Sequence, residues 1–206
     1  MSIDAPPTAV EPGDVPAPAP RRRRLGPWLV APVAVVVILF VAVLATSDPA
    51  VDRVADSPLL GKPAPPLVST DLEGDRFDLG AMRGRWVVVN YFAPWCVPCR
   101  QEHPELISFH TRHQLAGDAV LVSVVFDDLP GTQAFFAKEG GDWPVVTDPT
   151  GGIALDWGVA KVPETFIVDP EGYVRMRIVS GVTSSGLDAA LAQLQLLRVG
   201  ARQAAS

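Results

Sequence analysis

Cys96 and Cys99 are the only two cysteines in the chain, and they stand in the run Trp95-Cys96-Val97-Pro98-Cys99-Arg100. An apolar stretch, Trp86 to Phe92, leads into this run, and a helical pattern follows it. A strand that delivers Cys96 to the start of a helix sets its sulfur among unpaired backbone N–H groups, at the positive end of the helix dipole. Both favour the thiolate, the species that attacks disulfides. Cys99 lies about one helical turn further on and on the same face, so the two can close a disulfide. These residue types at this spacing describe a redox dithiol. A structural staple fits less well, because a loop of so few residues restrains the unfolded chain little. A zinc centre usually needs four ligands, and no second C-x-x-C or H-x-x-x-H pair is present.

The elements that must position this pair follow from the patterning. Leu67 to Ser69 and Arg76 to Asp78 flank a Glu73-Gly74 turn and predict a hairpin. Trp86 to Phe92 and Ala119 to Phe126 are continuous apolar runs, as expected of strands covered on both faces. Between them a helix is expected from about Cys96 to Leu115, with Pro104 inside it as a source of a kink. A short helix over Thr132 to Lys138, an edge strand over Trp143 to Thr147 and another short helix over Gly152 to Trp157 come next. Glu164 to Val168 and Tyr173 to Val179 read as strands joined by the turn Asp169-Pro-Glu-Gly172. Ser184 or Ser185 is expected to cap a last helix with Leu187, Leu191, Leu194 and Leu197 along one face. The order gives an α/β sandwich with a mixed sheet, large enough for a core without a structural disulfide.

The N-terminal part is different. Residues 1–24 are rich in Pro and Ala and end in Arg21-Arg22-Arg23-Arg24; they cannot bury a core and read as a disordered cytoplasmic tail with a basic flank. Leu25 to Ala45 carries no charge. A run of about twenty apolar residues spans roughly 30 Å of hydrocarbon, so residues 25–46 are expected to form one transmembrane helix. The arginines precede it, which keeps the N-terminus cytoplasmic and puts the C-terminal domain outside the cell membrane, on the periplasmic or outer face. A cleaved signal peptide is the rival reading, with Val43 and Ala45 as a cleavage site. Residues 47–60 read as a linker, 61–198 as the folded domain and 199–206 as a frayed tail. The net charge of −6 argues against a nucleic-acid partner. No phosphate loop and no flavin or nicotinamide fingerprint is present, so no cofactor is expected.

Phe92 to Arg100 resembles the active site of the thioredoxin fold, and the resemblance extends from Gly61 to about Leu197. Pro104 matches the kinking proline of that active-site helix, and Gly158 to Asp169 resembles the loop carrying the cis-proline, here Pro163. The insertion between Phe126 and Val159, together with Gly61-Lys-Pro-Ala-Pro, is similar to the membrane-anchored ResA/CcmG(DsbE)/TlpA group. Val162-Pro163-Glu164-Thr165-Phe166 is especially close to its cytochrome c maturation members. The resemblance implies a thioredoxin fold with an N-terminal β-hairpin and a central helix–strand insertion, behind a signal-anchor. It implies an extracytoplasmic reductant that takes electrons from a transmembrane thiol carrier. Its expected client is an exported disulfide-containing protein, apocytochrome c.

Beside that resemblance, each site residue has a physical role to fill. Cys96 is expected to be the exposed attacking thiolate and Cys99 the buried resolving thiol. Pro163, if cis, would bare the Val162 backbone to an extended substrate segment. Pro94 and Trp95 would form an apolar rim, and Pro98 lies between the cysteines. Asn90 points under the dithiol, where thioredoxin has an acid; an amide cannot titrate. Glu102 is the available substitute for moving the Cys99 proton, with a solvent-facing helix acid as the bland alternative. Glu164, beside the proline, is expected to shape the field at the substrate. Of the three histidines, His103 is placed to tune that field, and His110 and His113 are expected at the surface. No metal is expected. The alternatives are a disulfide oxidase or isomerase of the same fold, a peroxiredoxin, and a copper metallochaperone. The peroxiredoxin pattern lacks its Thr, Ala93 standing in that place.

Overall fold

A computed structural model describes residues 32–40 and 54–204. Residues 32–40 are helical (α1) and belong to one compact unit of the chain; the remaining elements belong to a second. The tail expected over 1–24 lies outside the described residues, as does most of the anchor expected over 25–46. Among the described residues no helix is long and apolar enough to cross a membrane.

The second unit is built on five strands in the order β5-β4-β3-β6-β7. These are β3 (Trp86–Tyr91), β4 (Ala119–Val125), β5 (Val145–Thr147), β6 (Glu164–Val168) and β7 (Val174–Val179). β3, β4 and β5 run parallel, while β6 and β7 join antiparallel, giving the expected mixed sheet. β3 is central and wholly buried, which is why its sequence is continuously apolar rather than alternating. Its side chains divide between two cores. Trp86 and Val88, with Phe92 just beyond the strand, face the layer made by α2 (Val97–Ala116), α3 (Leu129–Glu139) and α5 (Ser184–Ala204). Val87, Val89 and Tyr91 face the hairpin of β1 (Val68–Thr70) and β2 (Arg76–Asp78), with α4 (Gly152–Asp156) beside it. The hairpin and the insertion of α3 and β5 are where the sequence put them.

Three boundaries are corrected. The linker expected over 47–60 is part of the fold from Val54 onward: Val54 bridges Ile178, Ala55 N–H donates to the Arg177 carbonyl at 2.9 Å, and Pro63 bridges Tyr173. This pairing covers the free edge of β7, an edge that natural sheets rarely leave open. The cap of α5 is Thr183 rather than Ser184 or Ser185, its hydroxyl accepting from Gly186 N–H at 3.1 Å. The residues expected to fray after Arg198 continue as helix to Ala204.

Candidate redox site

The site forms where β3 ends and α2 begins. Cys96 is the N-cap of α2, with an extended backbone (φ −75°, ψ 112°), and its Sγ accepts the Cys99 N–H at 3.3 Å. That hydrogen bond uses one of the donors a helix start leaves unpaired. Pro98 lies in the first helical turn, where its missing N–H removes no intrahelical bond. Cys96 and Cys99 are joined as a disulfide, with their Cα atoms 5.3 Å apart. Cys99 is buried. Cys96, expected to be exposed, is only 5% exposed. One reason is the loop before β6: the Val162–Pro163 peptide is cis, and Cys96 Sγ lies 3.6 Å from the Val162 carbonyl oxygen. The rim is more open. Trp95 is 58% exposed, its indole N–H donating to Asp127 Oδ2 at 2.9 Å, and Pro94 is half-buried beside it.

Beneath the dithiol lies a buried polar chain. Glu102, on the first turns of α2, is 2% exposed, so the solvent-facing alternative is excluded. Its Oε1 accepts the Asn90 amide at 2.9 Å and its Oε2 accepts Val182 N–H at 2.9 Å. Asn90 spends its other amide hydrogen on Thr165 Oγ1 at 3.1 Å, and its own Oδ1 is buried without a partner among the described residues. Burial pushes the Glu102 carboxyl up to about 7, against the two hydrogen bonds, which favour the ionised form. A Cβ built on Gly181 would meet Glu102 Oε2 at 3.7 Å and the Pro98 carbonyl at 3.9 Å, so the 181–182 backbone packs against both the acid and the dithiol turn.

Two expectations fail here. Glu164 does not face a substrate. It is fully buried because β6 is covered on both faces; its Oε1 accepts Ala160 N–H at 3.2 Å and Lys161 N–H at 3.3 Å, and its Oε2 pairs with Arg177 at 2.8 Å. It holds the backbone that leads into Val162. His110 and His113 are not surface residues either. Their side chains are mostly covered: His113 bridges Asp118 at 2.7 Å and Asp188 at 3.0 Å, and His110 lies 3.0 Å from Asp142. His103 sits among Phe92, Phe135, Phe136 and Trp143, with Nε2 2.9 Å from the Gly140 carbonyl; burial pulls its pKa down.

The Redoxin family matches residues 59–191, a span that holds the hairpin, the cysteine pair and the cis-proline loop. The chain belongs to the Redoxin family. Among its relatives, the thiol:disulfide interchange protein HelX of Rhodobacter capsulatus is 38% identical over 130 residues, covering 61% of this chain and 70% of HelX. The thiol-disulfide oxidoreductase ResA of Bacillus anthracis is 28% identical over 135 residues, covering 66% of this chain and 78% of ResA. Among solved structures, the thioredoxin domain of a thiol-disulfide oxidoreductase from Bacteroides vulgatus superposes with a TM-score of 0.60 at 21% identity, covering 67% of this chain and 99% of that one. That match establishes the thioredoxin fold. A secreted thiol-disulfide isomerase from Corynebacterium glutamicum gives a TM-score of 0.56 at 25% identity, over 60% and 80% of the two chains. With a Cys96–Cys99 disulfide and such relatives, this Redoxin is a thiol–disulfide oxidoreductase.

Three residues of the Redoxin site escape a reading of the sequence. Thr165 carries a signal only as part of the stretch Val162 to Phe166, and the register sets it opposite Asn90. Val182 and Asp127 carry none, since each meets the site from a loop distant in sequence.

Proposed function

We propose that this chain is a membrane-tethered, extracytoplasmic reductant of disulfides in exported proteins, with apocytochrome c as its client. The tether rests on the uncharged run from Leu25 to Ala45 behind four arginines. The client rests on the resemblance of Val162 to Phe166 to the cytochrome c maturation members. The observation that carries the chemistry is the Cys96–Cys99 disulfide at the start of α2, with the buried Glu102 carboxyl one turn beyond it.

In this reading the Cys96 thiolate, held by the helix start and the Cys99 N–H, attacks one sulfur of the client disulfide. That S–S bond breaks, a Cys96–client disulfide forms, and the other client sulfur leaves as a thiolate that takes up a proton. The client segment lies along the Val162 backbone, under the rim of Pro94 and Trp95. Glu102, one helical turn beyond Cys99, then takes the Cys99 proton, its raised pKa suiting exchange near neutral pH. The Cys99 thiolate attacks Cys96 Sγ, closing the disulfide and releasing the second client thiolate. Two electrons have passed to the client. A transmembrane thiol carrier returns two electrons and two protons, breaking Cys96–Cys99.

Equilibrating the dithiol with dithiothreitol or glutathione tests the direction. A reductant lies well below about −200 mV, and a value near −120 mV would make the chain an oxidant instead. Fractionation tests the tether: a shortened chain in the soluble fraction would reject it.

A further inference from the structure

An open groove of about 370 Å³ runs between α2 and α3, starting beside the dithiol. Val97, the residue after Cys96, forms its mouth and is 61% exposed. Gln101, Pro104 and Ile107 continue the same wall at helical spacing, and Phe135 of α3 faces them. Ile107 and Phe135, half-buried against the core beneath, and the buried His103 ring form the floor. Arg100, whose N–H bonds the Cys96 carbonyl at 3.1 Å, and Glu139 supply the polar rim.

We propose that this groove seats an apolar side chain of the client, two residues from the cysteine under attack. The proposal rests on the reading that the client is an extended protein segment. During exchange the client cysteine is covalently held at Cys96 Sγ, so its neighbours must pass the mouth at Val97. In an extended segment side chains two residues apart share a face and stand about 6.6 Å apart, which reaches past Val97 into the groove. The volume is at the small end of the roughly 300–1,000 Å³ of ligand sites, suited to one large aliphatic or aromatic side chain. Val97, which stands between the two cysteines and lines the groove, points to the client as the occupant. The insertion helix α3 thereby acquires a role in specificity, because it supplies the wall opposite α2 and with it a preference among disulfides.

The test uses the reduced full chain and two disulfide-closed C-x-x-C peptides, with Leu or with Ser at the positions two residues outside each cysteine. Each turnover oxidises the enzyme dithiol and releases a peptide dithiol. The Leu peptide is expected to react faster by about tenfold, the scale of discrimination by a small apolar pocket. In Val97→Ser that ratio should fall toward one. Equal rates for the two peptides with the wild-type chain would overturn the groove and leave the reductase reading standing. So would a wild-type chain that sediments as a dimer and dissociates in Val97→Ser without peptide selectivity, since a second copy would then occupy the groove. Failure to reduce either peptide, with glutathione disulfide also unreactive, would overturn the reductase reading itself.

Discussion

Glu102 Oε1 accepts the Asn90 amide at 2.9 Å, and this bond ties the active-site helix to the central strand directly below the dithiol. It joins a group that titrates to one that does not. The folded protein holds the Glu102 proton more tightly than the unfolded chain does, about 7 against the ordinary 4.5. Between those values the native state binds more protons, so stability falls as pH rises. It is greatest below about pH 4.5 and is lost through about pH 7, by roughly 3 kcal/mol if the whole shift is expressed. Urea unfolding across this range should show the slope in wild type and its loss in Glu102→Gln. The same variant should slow the resolving step at neutral pH, seen as a longer-lived mixed disulfide.

Asn90→Asp places a second carboxyl against the first. Two carboxyls at hydrogen-bond distance cannot both ionise cheaply, so the pair should titrate in two macroscopic steps, the upper one above that of Glu102 alone. Carbon NMR of labelled carboxyls would read both steps. The pH dependence of Cys99 alkylation in the reduced protein should move upward with them.

Much of this site can be read from the sequence, and the divide between what is legible and what is not has a physical basis. The dithiol and the Asn90 side of β3 follow from local spacing, one helical turn and one strand alternation, while the proline loop is legible only through its resemblance to the family's cis-proline loop. The burial of Glu102 does not, because it depends on Val182, 80 residues away, closing over the carboxylate. Glu164 reads as a polar residue beside a loop, yet a strand with neighbours on both sides and layers on both faces has no solvent side to offer it. His113 faces Asp188 of α5, a helix whose docking no pattern within α2 reveals. The cap of α5 falls on Thr183 rather than its neighbours because Thr183, Ser184 and Ser185 offer equivalent hydroxyls, and only the backbone chooses among them.

Arg177 supplies the counter-charge to Glu164 at the far side of the proline loop. Arg177→Met leaves a buried carboxylate without its partner, a change that costs about 3–5 kcal/mol. The double variant Arg177→Met with Glu164→Gln should recover part of that loss, since the charge is gone. Amide exchange at Ala160 and Lys161, which donate to Glu164, should quicken in the single variant. Restored stability with unchanged exchange would show that the pair serves the sheet rather than the loop.

Trp95 is held over the site by Asp127, whose Oδ2 accepts the indole N–H at 2.9 Å while Oδ1 is buried without a partner among the described residues. The two oxygens pull stability in opposite directions. A hydrogen bond at an exposed indole contributes about 1 kcal/mol, and an unpartnered buried acceptor costs about 1–3 kcal/mol. Asp127→Ala removes both, so its stability should stay within about 1 kcal/mol of wild type or rise. The indole, however, loses its anchor. Its N–H resonance should shift toward the position of a solvated tryptophan, and its fluorescence anisotropy should fall. Asp127→Asn keeps an oxygen for the indole and should preserve both signals. If Trp95 helps form the rim that a client crosses, peptide reduction by Asp127→Ala should show a raised KM with kcat little changed, because a rim that orders the bound segment acts before sulfur exchange begins. A fall in kcat at constant KM would instead place Asp127 in the exchange step.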